Sequence, residues 1–436
     1  MRPLTPWTLL AALILAVPVQ AETVALTGAR IHTMGPTGVI DNGTVVIGDG
    51  RITAIGAGLA PPPGARVIDA SGGVITPGLY DAHGYLGVTE VSLEASTVDR
   101  QHVDPRYSAA FEVADAINPR SVLIPINRIE GVTRALVTPA VAPPLPGQAR
   151  SPVAGLGSVI HLGGSEDFIV GRNAALYADL GESGATAAGG SRSLALLRLR
   201  EALEDARDLA ANRKAWNEGA RRPYSASRPD LEALAETLRS GRPVVVTVHR
   251  ASDIAAALRL AEDFGLNLVI SGGSEAWLVA GPLAAAGVPV IIDPIENLPR
   301  RFEALGATLE NAARLHAAGV TVAFATFRSH NARNMRQAAG NAVAHGLPWD
   351  AALAALTVNP ARIFGQAASS GSLEARKDAD LVLWDGDPLE VTTTATRVFI
   401  RGRDIPMVSR HTLLRDRYRD ISAPLPPQYR PRGEAP

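Results

Sequence analysis

The rhythm of apolar and polar positions changes twice along the chain. From Glu22 to about Ile75 the apolar runs are short and strand-like: "TVALTGARIHTM", "GTVVIGDGRITAIG" and "ARVIDASGGVITPG", separated by Gly, Asn and Asp turn residues. The C-terminal stretches "GSLEARKDADLVLWDGDP" and "TRVFIRGR" return to that style. Between them lie seven apolar strand candidates: "GVITPGLYDAH", "GVTRALVTP", "LGSVIHLGG", "PVVVTVH", "NLVISGG", "VPVIIDP" and "VTVAFAT". Amphipathic segments such as Ser252 to Phe264, Ser274 to Ala286 and Ala307 to Ala318 separate the later ones. Near-continuous apolar strands alternating with helices predict a parallel sheet covered on both faces. With an eighth strand placed between Glu166 and Gly241, the expected fold class is α/β: a (β/α)8 TIM barrel with a composite β-sandwich built from the N- and C-terminal segments. The Arg/Glu-rich segment from Ser191 to Arg222 reads as an inserted surface helix. The division that follows is 1–21 leader, 22–76 with 366–422 as the composite β domain, 77–365 as the barrel, and 423–436 as a disordered tail.

Composition narrows the function classes. A net charge of -1 gives no electrostatic footprint for nucleic acid. The chain has no cysteine, so disulfides, thiolate metal ligands and a cysteine nucleophile are excluded. Its only lysines are Lys214 and Lys377. The first 21 residues carry Arg2, an apolar run from Leu9 to Val17 and a small-residue cleavage pattern ending at Ala21. That run is shorter than the ~20 apolar residues a membrane span needs. The expectation is a secretory signal peptide, a periplasmic or secreted protein, and no membrane span after cleavage.

Two histidines end separate apolar strands. His83 closes "GVITPGLYDAH", and alternation along the strand puts Asp81, His83 and Tyr85 on one face. His249 closes "PVVVTVH". In a barrel both sit near the C-terminal rim, where barrel enzymes keep their sites.

"GVITPGLYDAHGYLG", "LTVNPARIFG" and "GSLEARKDADLVLWDGDPL" together resemble the amidohydrolase superfamily, particularly its imidazolonepropionase-like and exported members. The likeness runs from "LTGARIHTM" to "TRVFIRGR". It implies the barrel-plus-sandwich fold and one or two divalent metals at the barrel mouth. The implied ligands are a His-x-His pair on the first strand, a carboxylated Lys or a Glu mid-chain, a His on each of two later strands, and an Asp ending the last strand that also serves as acid/base. Such a metal lowers the pKa of bound water to ~7 and polarises the scissile carbonyl.

Carried over position by position, the set is incomplete. His83 matches the first His of the pair, and Tyr85 stands at the second. His249 matches the fifth-strand His. The sixth strand has Ser271 and Gly272 and no histidine, and the last has Thr326 and Phe327 where Thr-Asp is implied. Neither lysine sits where it can bridge two metals. The metal set implied is therefore His83, His249 and Tyr85 around one divalent ion, zinc in the first instance, with Asp293 as the catalytic acid/base. Arg328, Asn331, Glu275 and His161 are the expected substrate contacts; Glu166 and His330 are further rim groups. Two readings stay open: an exported metal-dependent hydrolase of non-peptide C–N bonds (a cyclic amide or dipeptide-like substrate), or a metal-free, non-catalytic barrel that binds a small ligand. In either case the expected partners are a small molecule and a second barrel, as a homo-oligomer or with a related subunit.

Overall fold

The computed structural model describes residues 22–164 and 167–419. The leader 1–21, the tail 423–436 and Glu166 lie outside the described residues.

Five strands open the chain: β1 (Val24–His32), β2 (Val39–Gly48), β3 (Arg51–Ala57), β4 (Arg66–Asp69) and β5 (Val74–Pro77). After Gly78 the chain enters the second sheet with β6 (Leu79–Gly84), β7 (Val132–Val137), β8 (Val153–His161), β9 (Ile169–Asp179), β10 (Pro243–Val248), β11 (Asn267–Gly272), β12 (Val290–Ile292) and β13 (Val322–Phe324). It returns to the first sheet with β14 (Leu381–Trp384), β15 (Ala395–Ile400) and β16 (Arg403–Asp404). The join between the ends is direct: β14 pairs antiparallel with β5, setting Leu381 opposite Pro77 and Trp384 opposite Val74. The composite domain is one continuous eight-stranded sheet with its own core, in which Leu26, Ile47, Ile52, Ile75, Leu381 and Phe399 pack together.

The second sheet runs β6 to β13 in sequence order and forms a nearly closed barrel. Its interior is filled by Tyr80, Leu136, Tyr177, Val245, Val269, Ile291 and Ala323, contributed by seven of its strands. The missing strand of the sequence pattern is β9, within the interval expected for it. One strand departs from the parallel expectation: β8 pairs antiparallel with both β7 and β9. No helix separates these three strands, so they form a meander, for which antiparallel pairing is the natural solution. The reversal sends the C-terminal end of β8 to the barrel floor.

The helix Arg192–Asn217 is less of a surface element than its charge suggests. Ala195, Leu199, Ala202, Ala206 and Leu209 fall on one helical stripe and are buried. Its Asp205 is buried too, accepting from the backbone N–H and the hydroxyl of Ser225 at 2.7 Å each.

The two bodies are locked through a buried charge. Arg134 on β7 is 2% exposed and donates from Nε to Asp380 at 2.6 Å and from Nη2 to Asp378 at 2.5 Å. Gly78, between β5 and β6, has no room for a side chain, since a Cβ there would lie 2.1 Å from the Thr133 hydroxyl. Replacing Arg134 with Met leaves Asp380 uncompensated and Asp378 with only Arg51, 4.0 Å away, at this junction. The expected loss is about 3–5 kcal/mol in denaturant unfolding; a loss below about 1 kcal/mol would show that the ion pairs do not hold the bodies together.

Candidate functional site

The loops after β6, β7, β12 and β13 surround a 720 Å³ cavity at the C-terminal end of the barrel. His83, Tyr85, His249, Asp293, Arg328 and Asn331 all line it. Sequence reasoning therefore brought six of its eight residues to one place. The other two are elsewhere. His161 ends the antiparallel β8, at the floor rather than the mouth, opposite Arg134 in the pairing. There its ring nitrogens meet the Asp167 carbonyl at 3.0 Å and the Gly163 N–H at 3.0 Å. Glu275 accepts the N–H of Ala251 at 2.9 Å and so caps the helix Ala251–Phe264. Asp81 does not share the face of His83 and Tyr85 either. The β6–β7 register slips between Asp81 and Gly84, and Asp81 is buried outside the cavity, accepting from the His83 N–H at 3.3 Å.

Each histidine is oriented by a serine of the strand that lacks the implied histidine, or of the turn after it. His83 Nδ1 meets Ser271 Oγ at 3.1 Å, and His249 Nδ1 meets Ser274 Oγ at 2.7 Å. Ser274 spends its proton on Glu296 Oε2 at 2.8 Å. Nδ1 of His249 is thus its protonated nitrogen, and Nε2 carries the lone pair. The nearest carboxylate to that atom is Glu303, at 4.0 Å. Gly272, at φ +94, keeps the space open: a Cβ there would sit 2.6 Å from the His249 ring.

The ring of His83 is held among aromatic neighbours. Tyr85 and Tyr177 meet it edge-on at 5.9 and 5.7 Å, and Phe327 lies against it at 4.8 Å. Phe327 occupies the position of the implied acid/base aspartate and adopts φ +54. Burial pulls the His83 imidazole down to about 3, aided by the charge of Arg100, and pulls His249 down to about 4, aided by Arg301. Both rings are neutral at pH 7.

These donors do not fit a catalytic divalent ion. Such a zinc takes three protein ligands and a water. Among the described residues no three His, Asp or Glu side chains converge on a common point. Tyr85 does not supply the third ligand: burial pushes its phenol up, outweighing the opposite pull of the Arg100 guanidinium 4.1 Å over its ring.

Of the cavity residues that escaped sequence reasoning, Asp179 and Arg100 bear most on its chemistry. Asp179 ends β9, the criterion that selected Asp293, but its strand had not been located. Burial is the main cause that raises it to about 6, against the pull of the Gly184 and Gly181 amides. Those amides donate to Oδ1 at 3.1 and 2.8 Å. Burial raises Asp293 as well. Arg100, in a loop without periodicity, had no sequence signal. Its Nε is buried without an acceptor, and it forms no ion pair among the described residues.

Residues 278–408 match the amidohydrolase family profile. Over 393 residues the chain is 25% identical to the amidohydrolase tasK of Hapsidospora irregularis, which is 83% of this chain and 39% of that protein. A 52-residue stretch is 40% identical to an imidazolonepropionase of Salinispora arenicola, 12% of this chain and 13% of that one. The chain thus spans about two fifths of the first relative, and its match covers a small part of the second. The solved amidohydrolase from Thermotoga maritima MSB8 superposes with a TM-score of 0.77 at 28% identity, covering 88% of this chain and 99% of that one.

The Asp179 carboxyl gives a pH signature. The folded group loses its proton near 6 and the unfolded one near 3.8. The native state therefore holds the extra proton between these values, and this group's contribution to stability falls as pH rises through that window. Asp179→Asn keeps the Oδ1 acceptor and removes the charge. Its stability relative to wild type should climb from about pH 4 to about pH 7, by on the order of 3 kcal/mol. A difference that is flat across that range in denaturant titrations would refute the assignment.

Proposed function

Because the chain belongs to the amidohydrolase superfamily, we propose that its barrel mouth binds a small amide-type molecule carrying a carboxylate, in a protein that has given up metal-dependent hydrolysis. One observation carries this reading. The positions that matched the family's ligands now form a neutral, partly aromatic wall: two uncharged imidazoles tied to serines, with Phe327 in place of the acid/base carboxylate. A bound metal without acid/base help forfeits ~10²–10⁴ in rate.

The ligand class follows from the charges around the cavity. Arg100 is stacked on Tyr85 with Nε unpartnered, while Arg300 and Arg328 stand exposed at the rim. A carboxylate seated on Arg100 would repay the desolvation of that guanidinium. Asp179, Asp293 and the lone pair of His249 Nε2 offer acceptors and proton donors for an amide group. Export belongs to this reading through the N-terminal segment. Association with a related barrel subunit belongs to it through the exposed Leu93, Leu298 and Phe302 on the mouth loops.

A second reading, metal-dependent hydrolysis of a non-peptide C–N bond, is favoured by the fact that His83 and His249 still face the same cavity. The two differ in measurable ways. On the binding reading, protein dialysed against zinc retains well under one equivalent, and chelator leaves its melting temperature unchanged. One tightly held equivalent that disappears in His249→Ala would establish the hydrolase instead. N-acetylglycine serves as the ligand probe: calorimetric titration should show Arg100→Met weakening it about 30-fold, the worth of one charge-assisted hydrogen bond. Equal affinity in wild type and variant would refute the carboxylate assignment.

A further inference from the structure

Beside the mouth lies a second cavity of 560 Å³, walled by the loops at residues 105–108 and 149–151, the helix Arg192–Asn217 and the segment 225–230. It shares no residue with the mouth cavity. A gap of 20 Å³, about room for one water, links the two, bordered on the mouth side by Val141 and Ala154 and on the far side by Tyr107 and Arg150.

Arg150 is the unusual member of this wall. It is 6% exposed, yet no carboxylate comes within 4 Å of it among the described residues. Its Nη groups donate to the carbonyls of His102 and Val103, which carry no charge, and its Nε is buried without any acceptor. A guanidinium taken out of water with only neutral acceptors has no counter-charge to repay its desolvation. The neighbouring ionic groups are already engaged or exposed. Asp230 accepts from the Ser108 and Ala110 amides and from the Ser227 hydroxyl; Arg106 is spent on Asp104; Glu201 is exposed on the helix. Arg198 gives its Nε to the Ala188 carbonyl and forms no ion pair among the described residues. Ser151 and Ser225 add hydroxyls to the lining.

We propose that this second cavity is an oxyanion site, with Arg150 as its charged anchor and Arg198 as its second cation, taking a phosphate or carboxylate group independently of the mouth. A planar guanidinium whose Nε has no acceptor carries a charge and a free donor that either group could satisfy.

The test titrates inorganic phosphate and, separately, acetate against the whole chain and follows the melting temperature. At about ten times its Kd the preferred anion should raise the midpoint by about 2 °C. A response to phosphate alone or to both anions fixes which oxyanions the site accepts. Arg150→Met should abolish the shift, as should Ala149→Trp, which fills the cavity from an exposed position and leaves the buried arginine in place. Both titrations are repeated in Arg100→Met, which removes the carboxylate anchor of the mouth; a shift from the second cavity should persist there, so failure here is separable from failure of the mouth reading. The proposal is overturned if neither anion shifts wild type, or if the shift survives Ala149→Trp and vanishes in Arg100→Met.

Discussion

The guanidinium of Arg134 sits in the floor of the barrel with almost no access to water, and two aspartates of the other domain neutralise it. Removing either side strands a buried charge, so the sheet and barrel are obliged to keep one relative placement. The backbone reinforces this. One residue, Gly78, separates the last strand of the first N-terminal run from the first strand of the barrel, and the Asp380 carbonyl accepts its N–H at 3.0 Å. His83 lies five residues beyond that junction. The position of the mouth is thus set from below.

At the mouth, the departures from the superfamily's ligand pattern support one another. An aspartate at 327 would bring a charge against His83; phenylalanine brings a ring, and burial then keeps the imidazole neutral. Histidines at 271 or 272 would compete for the space now held by a serine hydroxyl and by the His249 ring. Two neutral imidazoles can share one cavity without an ion between them, whereas two protonated ones would repel. Arg100, one of four arginines lining the cavity, sits over the Tyr85 ring in a position that favours an anionic guest.

Much of the architecture was legible in the linear chain because burial has a period. Seven barrel strands showed themselves as apolar runs, and the family-like "DADLVLWDGDP" marked the strand that closes the composite sheet. The eighth strand, "IVGRNAALYAD", was hidden because its first half is only partly buried and polar residues interrupt it. With that strand unseen, Asp179 was unseen too. His161 failed for a related reason: a run of apolar residues states that a strand is buried and says nothing of its direction.

The sequence by itself determined the fold class, the pairing of the two ends, and the absence of thiol chemistry, since composition and periodicity act locally and survive in one dimension. Only the tertiary structure decided which groups line the mouth, that β8 runs backwards, and that the half-buried Arg100 and the buried Arg150 form no ion pair among the described residues. Those properties depend on what lies within a few ångströms across the fold, and residues from distant parts of the chain supply it.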